Sequence, residues 1–508
     1  MSVPSDRPVA HIIAPRVDGV RSDRPGERHD GGAMTLRPLP LLVLAALARR
    51  AGWDAEVIVE DLQPLPARRP DAVLISAWTA TAPSAYDLAD RYRAQGVPVV
   101  LGGVHPSMVP AEALRHADAV VAGEAEAVLT TVLDDLAAGR LQRLYQGHWR
   151  SMDEVPGIDE YRDLYTSGPW KRLPVHSIQT SRGCRFNCSF CSVIRINGRG
   201  MRHMEPERVV EELRQLRSLS PKLPGGTPIY LLDDDLMSDR EYSLEMFEGI
   251  ARAGMRSPLI LQVSNAFGAD EEMVSMAARA GCVSAFIGFE SISRESLLEA
   301  NKKNRPHLYR DTIERAHRHG IGISAGIIFG FDHDRPEVFH ETVDVLDEMG
   351  VDSVRFTALT PMPGTETFAK YYEEGRIVDL DWSSYDGMTA VIAPEHLTPS
   401  QLQDGLVSAY RRWYGGRARA KRFVRQARHV SLRVAGAFAF SGQRFATGLD
   451  QVVGRPHRGF QPETADLDAL VAVSRAPASE AITLATSQAA AGGIPVELGA
   501  ARRPPISS

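Results

Sequence analysis

The sequence predicts an α/β protein. An N-terminal doubly wound, Rossmann-like sheet is followed by a partial (β/α)6 barrel and then by a helical C-terminal region. Two observations predict it. Short apolar, β-branched runs alternate with segments of helical period over residues 1–145, and the same alternation resumes over residues 173–375. The links between them are short, as parallel sheets covered by crossover helices require.

The elements follow in order. Val9–Ala14 reads as a strand, and Leu39–Ala51 as an apolar helix stopped by Gly52. Ala55–Val59 and Ala72–Ala77 are strands, and Ser84–Gln95 is helical. Val97–Leu101 is a strand running into Gly102-Gly103; Ala119–Ala122 is a last short strand, and Glu126–Ala138 a helix. Residues 146–172 form a connector rich in Trp, Tyr and Asp. The second run has strands at Val175–Thr180, Ile229–Asp233, Leu259–Val263, Val283–Gly288, Ile321–Phe329 and Ser353–Leu359, with helices at 205–218, 239–253, 270–280, 306–319 and 335–349. Both architectures place ligands at the carboxyl ends of their strands. Residues 376–450 read as mostly helical. Residues 451–508, rich in Ala, Gly, Ser and Pro, read as a largely disordered tail.

Composition narrows the function. The chain has 508 residues, 44% of them hydrophobic, and a net charge of −6, so no global basic field recruits nucleic acid. No apolar run approaches the roughly 18 residues of a membrane span, and the N-terminus lacks a basic-then-apolar leader. A cytoplasmic location is expected. There are four cysteines, and three of them, Cys184, Cys188 and Cys191, lie within eight residues. A disulfide framework would be dispersed, so this is metal-ligand usage in a reducing compartment.

The cysteine segment, Thr180-Ser-Arg-Gly-Cys184-Arg-Phe-Asn-Cys188-Ser-Phe-Cys191, directly follows the first barrel strand. Three thiolates on one loop can hold three irons of a cubane and leave the fourth open to chelate a small molecule. Structural zinc sites and ferredoxin clusters instead take four protein ligands. The segment resembles the C-x3-C-x2-C signature of the radical S-adenosylmethionine superfamily, including the aromatic Phe190 before the last cysteine. The resemblance implies a [4Fe–4S] cluster that cleaves S-adenosylmethionine to a 5′-deoxyadenosyl radical. It also implies an external reductant such as flavodoxin or ferredoxin, and a small-molecule substrate. Cys282, alone beside an apolar strand, reads as a small buried hydrophobe.

The resemblance also assigns S-adenosylmethionine contacts to the ends of later strands. Asp233-Asp234-Asp235 ends the second strand, where the family receives the methionine amine; a solvated turn or helix cap is the other reading. Ser264-Asn265 suits ribose hydroxyls or a helix cap. Glu290, in Gly288-Phe-Glu290-Ser291, suits ribose or the amine. Gly326-Ile-Ile-Phe-Gly330-Phe-Asp332 resembles the G-x-I-x-G-x-x-E adenine motif, with Asp332 in place of Glu. Thr360-Pro-Met-Pro-Gly364-Thr365 is a turn typical of one branch of the superfamily. Arg355, Thr357 and Tyr385 are polar candidates near the barrel mouth.

In the N-terminal region, Pro98-Val-Val-Leu-Gly102-Gly103-Val-His105 and Val121-Ala-Gly123-Glu124 resemble the cobalamin-binding domain fused to radical enzymes. Gly102, Gly103, His105 and Glu124 are then the cobalamin candidates. Glu27-Arg-His29-Asp-Gly-Gly32 resembles the cobalt-ligating Asp-x-His-x-x-Gly, with Glu for Asp, although relatives of this branch usually hold cobalamin without that His. Asp381-Trp382-Ser-Ser-Tyr385-Asp386-Gly387 and Leu397-Thr-Pro399 resemble a branch that includes hopanoid methylases.

Together these resemblances imply a class B, cobalamin-dependent radical C-methyltransferase. Its methyl group would pass from S-adenosylmethionine through methylcobalamin to an unactivated carbon of a small secondary-metabolite or sugar-like intermediate, in a setting such as antibiotic biosynthesis. The alternative is a radical dehydratase, dehydrogenase or epimerase with a vestigial cobalamin domain.

Overall fold

In a computed structural model of the chain, the described residues are 7–17, 36–148, 150–219, 226–255, 257–439, 458–491 and 496–497. They form two parallel sheets. The first contains β1 (Val9–Ala14), β2 (Asp54–Val59), β3 (Ala72–Ser76), β4 (Val99–Gly102), β5 (Ala119–Ala122) and β6 (Leu144–Gln146). Its order is β6-β5-β4-β3-β1-β2, with the C-terminal strand β15 (Val496–Glu497) added beside β6. β1 pairs in parallel with β2 on one side and β3 on the other, so the order in which strands are added reverses at β1. The crevice beyond the carboxyl ends of β1 and β3 is the ligand position of such a sheet. Burial on both faces explains why these strands are apolar runs rather than alternating ones.

The second sheet contains β7 (His176–Ile178), β10 (Ile229–Leu231), β11 (Leu259–Val263), β12 (Cys282–Glu290), β13 (Gly322–Phe329) and β14 (Ser353–Ala358). Its order is β14-β13-β12-β11-β10-β7, with every pair parallel, so six β/α units make a sheet with two free edges. The β14 edge is covered by the helix Pro399–Tyr414. Tyr410 OH accepts from Phe356 N at 3.1 Å and donates to Phe356 O at 2.7 Å. Tyr414 OH does the same for Val354, at 3.2 and 2.6 Å. Two tyrosyl hydroxyls thus stand in for the missing neighbour strand and satisfy edge groups that would otherwise be orphaned.

Three expectations are corrected. The N-terminal run of strands does not end at Ala119–Ala122: β6 follows it. β6 straddles the boundary read between the N-terminal domain, 1–145, and the connector, 146–172, and its three residues are too few to show a period. Among the described residues the tail carries two helices, Thr464–Arg475 and Ala481–Ala491. Thr464–Arg475 packs on the helix Glu366–Glu373 through Leu467, Leu470 and Val473. Ala481–Ala491 packs on the N-terminal domain, with Gln146 Nε2 donating to Thr483 Oγ1 at 2.9 Å. The Ala content that suggested low complexity is also the strongest helix-forming composition. The region from 376 is also not helical at its start: it opens as an irregular strap with an Ile377–Ile392 bridge, and its first long helix begins at Pro399.

On β7, His176 is buried, with Nδ1 2.8 Å from Tyr165 OH. Burial, and secondarily the Arg37 charge, holds its pKa down at about 4. The unfolded value is higher, so His176 favours the native state fully above about pH 6.5, and this contribution is lost as pH falls toward 4. His176→Gln is expected to flatten the acid side of the stability curve. The difference from wild type should reach at most about 3 kcal/mol between pH 7 and pH 4, as measured by thermal unfolding across that range.

Candidate active site

The cysteine loop leaves β7 through a two-stranded ribbon, β8 (Ser181–Arg182) against β9 (Arg202–His203), so residues 183–201 are tied at their base. The three carboxylates at the end of β10 hold this loop rather than repel one another. Asp233 Oδ1 accepts from Thr180 N at 3.0 Å, from Thr180 Oγ1 at 2.8 Å, and from the amide and hydroxyl of Ser181. Asp234 accepts from Gly183 N at 2.8 Å and Asn197 Nδ2 at 2.9 Å. Asp235 accepts from Met237 N, Ser238 Oγ and Ser264 N. Carboxylates saturated with donors can sit side by side in a buried place. Asp233 Oδ2 alone is buried without a partner.

The loop backbone is pinned further by Cys184 N to Gly198 O at 3.3 Å, Ser189 N to Ala300 O at 3.0 Å, and Cys191 N to Cys188 O at 3.1 Å. Burial pushes the Cys184 thiol up, Cys188 to about 11 and Cys191 to about 12. Three desolvated thiols close enough to feel one another's charge need a cationic partner to ionise. Among the described residues no three His, Cys, Asp or Glu side chains converge as on a single ion. Three cysteines on one short loop suit a group that offers a separate iron to each sulfur. Arg195, just past the loop, donates to Ser474 O at 3.0 Å and to Ala476 O, so the C-terminal helices brace it from outside.

Opposite the thiols stands a buried ion pair that sequence reasoning half missed. Glu290 Oε1 lies 2.9 Å from Lys302 Nζ, and Lys302 feels the charges of Cys188 and Cys191. Glu290 has φ +64° at a register shift between β12 and β13. A Cβ on Gly288 would collide with its carboxylate. Strain of this kind in a non-glycine residue is held only by its surroundings and clusters at functional sites. Lys302 carries no sequence signal beyond being one of two adjacent lysines.

At the end of β11, Ser264 Oγ and Asn265 Oδ1 are buried without partners, so neither caps the following helix. A Cβ on Gly326 would sit 2.8 Å from the Phe286 ring, and Gly330 has φ +106°. The Asp332 expectation is corrected. Its carboxylate is taken by Lys370, Tyr371 OH and Arg376, and accepts from Glu395 N at 3.1 Å. It staples the strand end to the C-terminal strap and has no capacity left for an adenine. Of the mouth candidates, Tyr385 is buried with its OH on Asp379 O, and Thr357 Oγ1 donates to Ile327 O. Arg355 is exposed.

In the N-terminal domain, Gly103 (φ +101°) lies so close to the Ala77 backbone that a Cβ would collide with it. His105 is buried, with Nε2 3.1 Å from Glu112 Oε1 and Nδ1 unpartnered. Glu112 also accepts from Tyr86 OH and from Trp382 Nε1 of the C-terminal strap. Glu124 pairs with Arg182 and Arg202 of the ribbon, so it joins the two domains instead of facing a free crevice. His29 lies outside the described residues. Trp78, 44% exposed directly after β3, is a flat apolar surface at the switch point that no motif signalled.

These contacts set the two sheets edge to edge. The loop after β5 meets the ribbon at the cysteine loop through Glu124, and Met108, after β4, lies against Gly364 of the turn after β14. Both carboxyl edges, where each sheet binds ligands, confront one another.

Two family models match: the Radical SAM superfamily over residues 178–346 and the B12 binding domain over 33–133. The bacteriochlorophyllide d C-12(1)-methyltransferase of Chlorobaculum tepidum is 31% identical over 400 residues, 77% of this chain and 86% of that one. The hopanoid C-3 methylase of Methylococcus capsulatus is 28% identical, covering 81% and 82%. The anaerobic magnesium-protoporphyrin IX monomethyl ester cyclase of Cereibacter sphaeroides is 26% identical, covering 76% and 69%. Two solved structures share the fold. The cobalamin-dependent S-adenosylmethionine radical enzyme OxsB matches with TM-score 0.62 at 13% identity, over 96% of this chain and 80% of that one. The radical methyltransferase TsrM of Kitasatospora setae matches with TM-score 0.55 at 16% identity, over 96% and 100%. The chain belongs to the class B radical S-adenosylmethionine methyltransferases, enzymes that combine a [4Fe–4S] cluster, S-adenosylmethionine and cobalamin.

Proposed function

We propose that this enzyme transfers a methyl group from S-adenosylmethionine, by way of methylcobalamin, to an unactivated carbon of a small, polar secondary-metabolite or sugar-like intermediate. The observation that carries the reading is the confrontation of the two carboxyl edges, because this chemistry needs a radical source and a methyl source about one substrate carbon. When bound, the cluster with S-adenosylmethionine supplies the hydrogen-abstracting radical and the corrinoid supplies the methyl group. Cys184, Cys188 and Cys191 hold the cluster. Ser264, Asn265 and Glu290, together with the backbone at Gly326 and Gly330, hold S-adenosylmethionine. Asp233 and Asp234 fix the loop above them. Gly102, Gly103 and His105 shape the corrinoid crevice beside Trp78. A low-potential flavodoxin or ferredoxin serves as reductant.

Tyr230, Gln262 and Ser324 stand on the inward rows beside Ile260 and Phe286, which supports a small substrate that offers hydrogen-bonding groups. The test is mass spectrometry of product after turnover with methyl-deuterated S-adenosylmethionine, with and without cobalamin. A trideuteromethyl gain that depends on cobalamin is expected. The cyclase relative motivates a second reading, a radical transformation without methyl transfer. Substrate conversion with 5′-deoxyadenosine release but no label would select it.

A further inference from the structure

We infer that Arg355 is the anchor for an anionic group, a carboxylate or phosphate, on the substrate. The inference rests on the proposed methyl transfer only in taking the barrel interior as the substrate chamber. Arg355 sits in the middle of β14, between Val354 and Phe356, which are buried against the helix layer. Alternation along a strand therefore puts Arg355 on the opposite, interior face. It is exposed there and makes no hydrogen bond or ion pair among the described residues.

The register explains why the guanidinium has room. Arg355 pairs with Gly326, and Gly326 with Gly288. The two positions beside it on the same face thus carry no side chain of their own, though the Phe286 ring reaches over Gly326 and the Glu290 carboxylate over Gly288. Across the chamber its charge reaches Tyr230, whose OH lies 3.5 Å from Gln262 Oε1. The one carboxylate on this row, Glu290 over Gly288, is already paired with Lys302, so none is left to satisfy the Arg355 cation. A guanidinium presents a planar fork of donors that matches a carboxylate or phosphate in two-point contact. Left without a counter-ion on the inward face of the sheet, it is placed to receive one from a ligand. S-adenosylmethionine reaches Gly326 beside Arg355 in the proposed arrangement, but its carboxylate would belong with the open iron, and the cysteine loop leaves β7, at the other edge of the sheet from β14. The substrate is therefore the source we assign.

The test uses cluster-loaded protein saturated with S-adenosylmethionine, titrated calorimetrically with inorganic pyrophosphate and, separately, with glutarate. Wild type is expected to bind at least one of them saturably. Arg355→Gln should weaken that binding by roughly tenfold or more, and Arg355→Lys should fall between the two. Affinity for S-adenosylmethionine and the cluster absorbance should be unchanged in both variants. The inference is overturned if wild type binds neither anion, if Arg355→Gln binds as wild type does, or if Arg355→Gln loses affinity for S-adenosylmethionine, which would make the anion the cofactor's own. Failure of label transfer with anion binding intact would sink the methyl-transfer reading and leave this one standing.

Discussion

Cys184→Ala, Cys188→Ala and Cys191→Ala are each expected to abolish the iron–sulfur absorbance and all turnover, whereas Cys282→Ala keeps both. The difference follows from placement. The three loop cysteines lie on one segment that Asp233 and Asp234 anchor at Thr180, Ser181 and Gly183, and removing any thiolate leaves two points of attachment for a group that needs three. Their burial makes the thiols poor acids on their own, so their ionisation depends on bound iron. Cys282 opens β12, at the opposite end of the strand from Glu290, and its Sγ donates to Ser284 O at 3.5 Å. It is one buried atom of packing, and losing it costs about 1 kcal/mol. Anaerobic reconstitution followed by iron and sulfide analysis and visible spectroscopy checks all four. Cluster loss in the Cys282 variant, or a full cluster in any loop variant, contradicts the assignment.

The cysteine loop was legible because its chemistry is local: three like ligands at fixed spacing after a strand. The strands of both sheets were legible for a related reason, since fully buried parallel strands are short apolar runs between turn residues. Val9–Ala14, Ala119–Ala122 and Leu259–Val263 begin and end where their patterns do. What failed depended on partners far away in sequence. Asp332 sits in a motif that suggests a nucleobase, but Lys370 and Arg376, brought over it by the fold, consume its carboxylate. Glu124 looked like a crevice residue until Arg182 and Arg202 arrived from the other domain. The Asp233–Asp235 run was ambiguous for the same reason. A row of carboxylates is costly or stabilising according to which donors meet it, and here the donors come from the loop it supports. Trp78 and Lys302 gave no signal because one exposed aromatic and one lysine are common, and only the positions make them notable.

Gly103→Ala is expected to remove corrinoid uptake and methyl transfer while leaving the cluster absorbance intact. Gly103 has φ +101°, which an L side chain rarely adopts, and its added Cβ would meet the Ala77 backbone. Backbone cannot swing aside as a flexible side chain can. Ala77 N donates to Gly102 O at 2.8 Å, Ser107 Oγ to Gly103 O at 2.7 Å, and Gly123 N to Ser107 Oγ at 2.9 Å. These bonds tie the ends of β3, β4 and β5 into one edge. Forcing Gly103 outward displaces that edge, and Trp78 and His105 with it. The strain alone is about 2 kcal/mol or more, and the displaced edge is the surface proposed to hold the corrinoid. Gly52→Ala is the control. Gly52 has φ +83° in the same domain but nothing within 4 Å of its added Cβ, so it carries the dihedral penalty without the collision. Corrinoid content after reconstitution, read with iron content on the same sample, should fall by roughly tenfold or more in Gly103→Ala and little in Gly52→Ala. Equal losses in the two variants would mean that general destabilisation, not the edge, is responsible. Loss of iron together with corrinoid in Gly103→Ala would mean that the cysteine loop depends on the N-terminal domain to keep its shape, through the Glu124 contacts to Arg182 and Arg202.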